Sequence, residues 1–403
     1  MKITIISLNF YPEDTAIGLY STHMAEFLAE NHEVEIITTF PYYPQWKIHE
    51  EYKRKPFFVK EKKGNLFIYR TKQYVPSNPS FLKRVLLMVT FTLGAFLNIF
   101  RIKNKPDLVI AVIPFTSSAL LALICKWIYK SKTWVHIQDF EFDAAIESGL
   151  IKNSAFFKSI ILKIEKILLN KADYISTISY SMLEKLNSKS TSISYFLPNW
   201  IEENFTRKYS PDITHSYFNS DKFNILYSGN IGEKQDWEYF LRVVSVLSQK
   251  NDIIFNIVGD GAKKNDVEQA CKNFPNVKFF PPVPYRDLPL LLSKADLHIL
   301  FQKNDVVDTV MPSKLLGMLA SGRVSMVTGN SDSEVRSIFE ENGVGFYSYS
   351  GNPNDATEII LKIKSNYSDF EEVTKRAQSY VFENFSKTKV LSKFRDKIEN
   401  LFS

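Results

Sequence analysis

The chain has 403 residues, of which 45% are hydrophobic and 23% are charged. This length and composition predict two globular domains and exclude disordered, collagen-like and low-complexity proteins. Because only two cysteines are present, Cys125 and Cys271, we expect neither a disulfide scaffold nor a zinc cluster, and a reducing compartment fits. The net charge of +6 is uneven, since residues 1–198 carry 25 basic and 17 acidic residues.

Apolar runs and helical patterns alternate along the first half. Strands are predicted at KITIISLNF, EVEIITTF, DLVIAVI, TWVHIQ and YISTIS, with amphipathic segments such as YSTHMAEFLAE between them. Strands that alternate with helices indicate βαβ units and a parallel sheet. The opening run is too short for a signal peptide and is followed by Glu13 and Asp14, so we expect no export signal.

The same alternation restarts in the second half, with strands predicted at FNILYSG, FNIVGDG, KFFPPV and DLHILF. Residues 198–222 lack periodicity and contain two prolines, which places a domain boundary there. The sequence therefore predicts two doubly wound α/β domains, residues 1–198 and 199–384. A C-terminal helix over residues 385–403 is expected to pack back onto the first domain.

Residues 47–132 carry 17 basic and 4 acidic residues, interleaved with aromatic side chains. Such a stretch fits an anionic membrane or nucleic acid, and it fits an ordinary solvated face about as well. Within it, residues 85–100 are apolar on all sides. At 1.5 Å per residue they reach roughly 24 Å, short of the ~30 Å hydrocarbon core. We therefore expect no membrane span, but either a buried helix or one that dips into a single leaflet.

Glycine turns mark candidate ligand sites. Gly18 lies between the first strand and its helix, where a backbone can approach an anion closely, although one glycine is weak evidence. The second half repeats the arrangement in YSGNIG (Gly229, Gly232) and VGDG (Gly259, Gly261). Both turns follow strands, at the edge where doubly wound sheets bind ligands. Neither matches GxGxxG or a Walker motif, which disfavours nicotinamide cofactors and P-loop chemistry.

A third cluster is MPSKLLGMLASG. Ser313 suits a helix start, and Lys314 in the first turn is unusual because that end of a helix favours anions. A bound diphosphate would explain the lysine; an exposed lysine without a role is the alternative. Further on, Glu334 either caps a helix or meets a sugar hydroxyl.

In the first half, WVHIQDFEFDAA ends a strand with His136 and the acidic residues Asp139, Glu141 and Asp143. Alternating carboxylates can bind a metal, but no histidine or cysteine cluster supports one, so no metal is expected. A carboxylate or imidazole at the strand end is the more natural general base. His136 fits equally well as a hydrogen-bonded core histidine.

Together these segments resemble glycosyltransferase family 4, of the GT-B fold, and especially its bacterial O-antigen and capsule branch of fucosaminyltransferase-like enzymes. The motifs that carry the resemblance are FYPEDTAIG, IQDFEFDAAIESG, YSGNIG, VGDG and MPSKLLGMLASGR followed by DSE. The resemblance implies two Rossmann-like domains that face each other across a cleft. It also implies transfer of a sugar with retention and without a metal or other cofactor.

Residue roles follow from the resemblance by position. Asp139 would face the acceptor, with His136 as the other candidate base and Lys314 stabilising the departing charge. The residues implied to bind the donor are Gly18, Gly229, Asn230, Lys234, Gly259, Asp260, Gly261, Ser313, Lys314 and Glu334.

The sequence departs from the family pattern at two places. The usual pair of glutamates is replaced by Thr309 and Gly317, and the usual basic pair by Asn230 and Gln235. Lys234 or Lys314 would then have to neutralise the diphosphate.

The expected function is transfer of a sugar, for example an N-acetylated deoxyhexosamine such as N-acetylfucosamine, from a UDP-sugar to a polyprenyl-diphosphate-linked acceptor in surface polysaccharide biosynthesis. The enzyme would be cytoplasmic and held at the inner face of the membrane, with no nucleic-acid partner. Two alternatives stay open: a UDP-N-acetylglucosamine 2-epimerase of the same fold, and a non-enzymatic membrane or nucleic-acid adaptor.

Overall fold

The structure is a computed structural model that describes residues 1–113, 116–140, 155–206, 209–210, 212–304, 313–349 and 351–402. The chain divides into two compact units. The first comprises Met1–Pro198 and Lys393–Ser403, and the second comprises Asn199–Ser392.

The first unit is built on one eight-stranded sheet. Its strands are β1 (Lys2–Ile6), β2 (Glu33–Thr39), β3 (Phe58–Lys63), β4 (Leu66–Thr71), β5 (Leu108–Ile113), β6 (Lys132–Ile137), β7 (Tyr174–Thr177) and β8 (Ile193–Phe196). Its helices are α1 (Ala16–Leu28), α2 (Phe81–Ile99), α3 (Thr116–Tyr129), α4 (Ala155–Lys171) and α5 (Tyr180–Lys189).

The strands lie in the order β3-β4-β2-β1-β5-β6-β7-β8, and every pair except β3–β4 is parallel. The central strand β5 is buried at every position, as expected for a parallel strand covered on both faces. The strand order reverses direction between β1 and β5. Loops at the carboxyl ends of these two strands are where a doubly wound sheet binds ligands.

Part of the basic and aromatic stretch forms the β3–β4 hairpin at the sheet edge, which the sequence periodicity does not predict. Many of its charges are used within the fold: Lys60 Nζ lies 4.9 Å from the Tyr69 ring centre, and the Arg101 guanidinium lies 4.5 Å from the Phe58 ring centre. Arg70 is fully buried and donates to Glu61 at 2.7 Å. This hairpin therefore accounts for part of the basic excess without any partner.

Helix α2 is longer than the predicted apolar run. Its window Leu82–Ile99 is long and apolar enough to cross a membrane by length and composition, and 33% of that window is buried. The buried side packs on β2 and β4. There Gly94 approaches so closely that a Cβ would lie 2.2 Å from Thr71 Cγ2, and Asn98 Nδ2 donates to Thr71 Oγ1 at 2.7 Å. One face of α2 is thus an integral part of the first unit.

The second unit contains a six-stranded parallel sheet. Its strands are β9 (Phe223–Ser228), β10 (Ile253–Val258), β11 (Val277–Phe280), β12 (Leu297–Phe301), β13 (Val324–Gly329) and β14 (Phe346–Tyr349). Its helices are α6 (Trp237–Val246), α7 (Lys264–Ala270), α8 (Leu288–Lys294), α9 (Ser313–Ala320), α10 (Glu334–Asn342), α11 (Pro353–Ser365) and α12 (Glu371–Phe385).

This sheet has the order β11-β10-β9-β12-β13-β14, which is the arrangement of the dinucleotide-binding Rossmann fold. Strands β10, β12 and β13 are buried at every position. The order reverses between β9 and β12, so the ligand site of this sheet is expected where these two strands end.

The last helix, α13 (Lys387–Asn400), begins in the second unit and from Lys393 onward belongs to the first. Phe394 is fully buried, with its ring centre 5.0 Å from that of Trp134 in β6.

Candidate functional site

Two glycine turns pack against each other at the carboxyl ends of β9 and β10. The Gly229 N–H donates to Val258 O at 2.9 Å, and the Ile231 N–H donates to Asp260 O at 2.8 Å. A Cβ on Gly259 would lie only 1.9 Å from Gly229 O. The predicted turns therefore meet backbone to backbone, which only glycine permits at residue 259.

Substituting Gly259 by Ala should destabilise the second unit by about 1–3 kcal/mol, because the new methyl group overlaps a backbone oxygen that cannot move freely. The melting temperature should fall by several degrees. Gly351→Ala is the matched control, since a Cβ there meets nothing within 4 Å. Equal melting temperatures for the two variants would show that the turns are not packed as described.

Lys314 lies over this pair of turns. Its Nζ donates to the Tyr227 hydroxyl at 2.6 Å and to Asn230 O at 3.1 Å, and it lies 4.5 Å from the Tyr227 ring centre. Gly229, with φ of +135°, leaves room for the lysine stem, because a Cβ there would lie 2.3 Å from Lys314 Cε. The first turn of α9 thus brings its lysine to the end of β9.

The electrostatics of Lys314 are unusual. Within the described residues no carboxylate forms an ion pair with it, although most buried cations have one. Burial without a counter-charge lowers the pKa of its amine to about 7. A cation that lacks an anion, at the reversal point of a doubly wound sheet, is suited to receive a negatively charged ligand.

Three other predicted donor residues, Asn230, Lys234 and Asp260, lie in or next to the two glycine turns. Asn230 and Lys234 are exposed, and Asp260 Oδ1 accepts from the Gly261 N–H at 2.9 Å. Gln235 occupies a position where the family usually has a basic residue. Its side chain is used within the turn, since its Oε1 accepts from the Gly232 N–H at 3.0 Å.

Two further donor residues start helices. Ser313 is the first residue of α9, and Glu334 is the first residue of α10. The cap of α10 is supplied by Ser333, whose Oγ accepts from the Val335 N–H at 3.2 Å, rather than by Glu334. Of the positions that depart from the family pattern, Gly317 lies in α9 and Thr309 lies outside the described residues.

Tyr227 is a site residue that sequence reasoning missed. Its hydroxyl accepts from Lys314 and donates to Asn230 O at 2.6 Å, and burial raises the pKa of that hydroxyl. The available signal was its position in the YSGNIG motif, two residues before Gly229.

In the first unit, Gly18 is enclosed rather than open. A Cβ on it would lie 2.7 Å from Glu13 O, which explains the glycine through packing. Glu13, also missed from sequence, is buried and its Oε1 accepts from the Tyr42 and Tyr43 N–H groups at 2.7 and 2.8 Å. This carboxylate joins the loop after β1 to the loop after β2. The predicted donor contact of Gly18 stays a prediction.

His136 and Asp139 occupy different environments near the end of β6. His136 is buried, with Nδ1 2.9 Å from Ser176 Oγ and Nε2 2.8 Å from Gln138 Nε2. Burial lowers the pKa of its imidazole to about 3, so it is neutral at physiological pH. These are the features expected of a core histidine, whereas Asp139 lies beyond the strand and is partly exposed.

Glu141 and Asp143 lie outside the described residues. Within the part of the chain that is described, no group of three or more His, Cys, Asp and Glu side chains is placed to hold a metal ion.

Two doubly wound sheets of this kind are the architecture of the GT-B fold. Solved structures agree: sucrose-phosphate synthase from Thermosynechococcus elongatus superimposes with a TM-score of 0.77 at 13% identity, covering 100% of this chain and 99% of that one. Anabaena HepE in complex with UDP gives 0.69 at 13% identity, covering 99% and 100%.

Sequence comparison gives the family. The model for group 1 glycosyl transferases matches residues 212–380. Escherichia coli (strain K12) WcaI, whose name assigns it to colanic acid biosynthesis as a glycosyl transferase, is 35% identical over 353 residues, covering 84% of this chain and 86% of WcaI. The chain belongs to the group 1 glycosyltransferases and is a glycosyltransferase.

Proposed function

We propose that this enzyme transfers a sugar from a UDP-sugar to a polyprenyl-diphosphate-linked acceptor during surface polysaccharide biosynthesis, with retention at the anomeric carbon. The observation that carries the proposal is Lys314, a half-buried lysine that has no carboxylate partner among the described residues, next to the glycine turns that end β9 and β10. The relative WcaI, by its name, acts in colanic acid biosynthesis, and HepE has been solved with UDP and with UDP-glucose.

The donor site follows from the geometry of the second unit. In this proposal the pyrophosphate and nucleoside bind beside the packed turns that contain Gly229, Gly259 and Gly261, and Ser313 and Lys314 at the start of α9 would contact the phosphates. Asn230, Lys234, Asp260 and Glu334 would complete the donor contacts. In this proposal, Gly18 of the first unit also approaches the donor.

In the chemical step one bond to the anomeric carbon forms, another breaks, and one proton is transferred. The acceptor hydroxyl oxygen bonds to the anomeric carbon, and the bond from that carbon to the donor phosphate oxygen breaks. UDP leaves with the bond's electron pair, so negative charge develops on the phosphate that Lys314 would face. The hydroxyl proton passes to the Asp139 carboxylate.

The proposed acceptor and cellular location are argued from the surface of the first unit. A polyprenyl tail stays in the bilayer, and α2 presents an exposed apolar side that would suit peripheral association with the inner face of the cytoplasmic membrane. Nucleic acid is not an expected partner. Within this proposal, the enzyme belongs to the fucosaminyltransferase-like branch, so UDP-N-acetylfucosamine is the first donor to test.

A nucleotide-sugar screen tests the donor. A ligand present at 100 times its dissociation constant should add about 2.7 kcal/mol to the free energy of unfolding and raise the melting temperature by several degrees. We expect UDP-sugars to do so, and ADP- or GDP-sugars to have a smaller effect. Free UDP should then be released only when a lipid-linked glycan is added. Interconversion of UDP-sugars without an acceptor would favour an epimerase, and no response to any nucleotide would overturn the donor assignment.

A further inference from the structure

We propose that helices α2, α3 and α4 together form one membrane-docking face that inserts into a single leaflet of an anionic bilayer. The inference rests on the proposed function, because a lipid-linked acceptor requires the enzyme to reach the membrane. Its own evidence is the exposed side chains and the charge of these three helices. It extends the interaction surface well beyond α2 and assigns a tryptophan anchor on α3.

Beyond Lys83 and Arg84 in its first turn, the exposed residues of α2 are apolar. They are Leu82, Val85, Leu86, Val89, Leu93, Phe96 and Leu97, followed by Phe100 at the helix end. These positions recur at helical spacing, opposite the buried residues of the same helix. A helix whose solvent side is apolar beyond the first turn exposes a contiguous patch of the kind that marks an interaction site.

The two neighbouring helices continue this surface. Helix α3 packs against both α2 and α4, so the three lie side by side in one layer. On α3, Leu120 and Trp127 are exposed, and the Trp127 side chain has 84% of its surface accessible. On α4, the exposed residues Ile160, Ile164 and Ile167 follow the same spacing. Tryptophan is enriched at membrane interfaces, where its ring sits at headgroup level.

The charge of these helices identifies the occupant. Helices α2, α3 and α4 contain seven basic residues and one acidic residue, Glu165. Glu165 is buried and paired with Lys189 Nζ at 2.8 Å. Lys126 is paired with Asp173 at 2.8 Å, so the three helices still carry an excess of basic residues. Apolar stripes flanked by lysine and arginine match an anionic lipid surface, which attracts basic residues close to it. A second copy would bring the same positive charge to the same place.

Helix α2 docks rather than spans. To cross the bilayer it would have to leave β4 and lose the Asn98–Thr71 hydrogen bond and the close approach of Gly94. The Thr90 hydroxyl is held as well, since it accepts from the Tyr74 N–H at 3.1 Å. The helix therefore stays in its unit and inserts only its outer side, together with those of α3 and α4.

Vesicle binding tests this face without any donor or acceptor. The variants are Leu93→Glu, Trp127→Glu and Ile164→Glu, one on each helix. The control is Val246→Glu on α6, a residue of comparable exposure (48%) in the second unit. Vesicles of phosphatidylcholine, with and without phosphatidylglycerol, are used at low and high salt. We expect the unmodified enzyme to bind anionic vesicles, with binding weakened but not abolished by salt.

Each of the three variants should lower the partition coefficient at least tenfold, while Val246→Glu should leave it unchanged. An effect of Leu93→Glu alone would overturn the three-helix face and reduce it to α2. A concentration-dependent dimer, seen by light scattering and disrupted by the same variants, would assign the face to a second copy and overturn the proposal. Absence of both vesicle binding and dimerisation would also overturn it.

The outcomes separate this inference from the proposed function. Thermal unfolding and transfer to a soluble, short-tailed acceptor should be the same for all four variants. Loss of vesicle binding in the three face variants, with transfer to the soluble acceptor retained, would support the docking face. Vesicle binding without transfer from any UDP-sugar would instead contradict the proposed function and leave the face intact.

Discussion

Replacing Lys314 by Met should lower the rate of sugar transfer about 10- to 1000-fold, the range expected when one preorganised group that stabilises developing charge is removed. The melting temperature should stay the same or rise. The reason is that desolvation disfavours the charged Lys314 amine, which has no carboxylate partner among the described residues, so in the free enzyme this charge destabilises the folded state. Steady-state kinetics and thermal unfolding measure the two effects.

The control is Lys272→Met, a substitution of an exposed lysine in the same unit, which should change neither quantity. Full activity in Lys314→Met would show that the lysine does not face the reacting diphosphate. A lower melting temperature together with reduced activity would mean that Lys314 is mainly structural.

The lowered pKa of Lys314 also fixes the sign of the pH dependence. The amine titrates near pH 7 in the folded enzyme and at its ordinary value of 10.5 when unfolded. Between these values the unfolded chain binds more protons, so this group makes the folded state more stable as pH rises. The stability advantage of Lys314→Met should therefore shrink as pH rises from 7 towards 10.5.

Binding of a nucleotide-sugar should show the opposite trend. A diphosphate favours the charged lysine, so the free enzyme must take up a proton when it binds above pH 7. The dissociation constant should increase with pH above 7, by up to tenfold per unit, and calorimetry in different buffers should detect the proton uptake. The pH dependence should vanish in Lys314→Met.

Asp139→Asn should abolish most of the transfer while preserving donor binding, because the amide keeps the shape and removes the base. We expect the rate to fall about 100- to 10,000-fold. The affinity for UDP should change less than twofold, as measured by calorimetry.

Asp107→Asn is the matched control in the same unit. Asp107 precedes β5, at the opposite edge of the sheet, where its Oδ2 accepts from the Lys2 N–H at 2.8 Å. This control should retain transfer. Equal losses of UDP binding and transfer in Asp139→Asn would place Asp139 in the donor site or the fold and would contradict its role as the base.

Much of the architecture could be predicted because buried parallel strands have a strong signature. The apolar runs that became β1, β2, β5 and β6 alternate with helices as βαβ units require, and they predict doubly wound sheets. The GT-B fold, which the family resemblance implies, is confirmed. The β3–β4 hairpin was missed because β3 is an edge strand with exposed lysines and a half-polar pattern. The two-residue turn Gly64–Asn65 was the available signal.

The site was only partly predictable, for a different physical reason. Glycine turns and Lys314 stand out because their residue types are unusual at those points of a strand–helix sequence. Tyr227 and Glu13 do not stand out, since their roles arise from partners distant in sequence: Lys314 for the tyrosine, and Tyr42 and Tyr43 for the glutamate. His136 is buried and Asp139 is partly exposed, and a local sequence pattern does not predict this difference in burial.

The path of α13 has a consequence for the timing of folding. The first unit is complete only when residues from Lys393 onward have been added, because Phe394 packs against Trp134. A ribosome that adds about 5–20 residues per second needs roughly 10–40 s to proceed from Pro198 to that point. During this interval the first unit lacks its final helix while the whole second unit is being made. The enzyme therefore does not mature strictly in the order of its sequence: the unit that emerges first is the one that closes last.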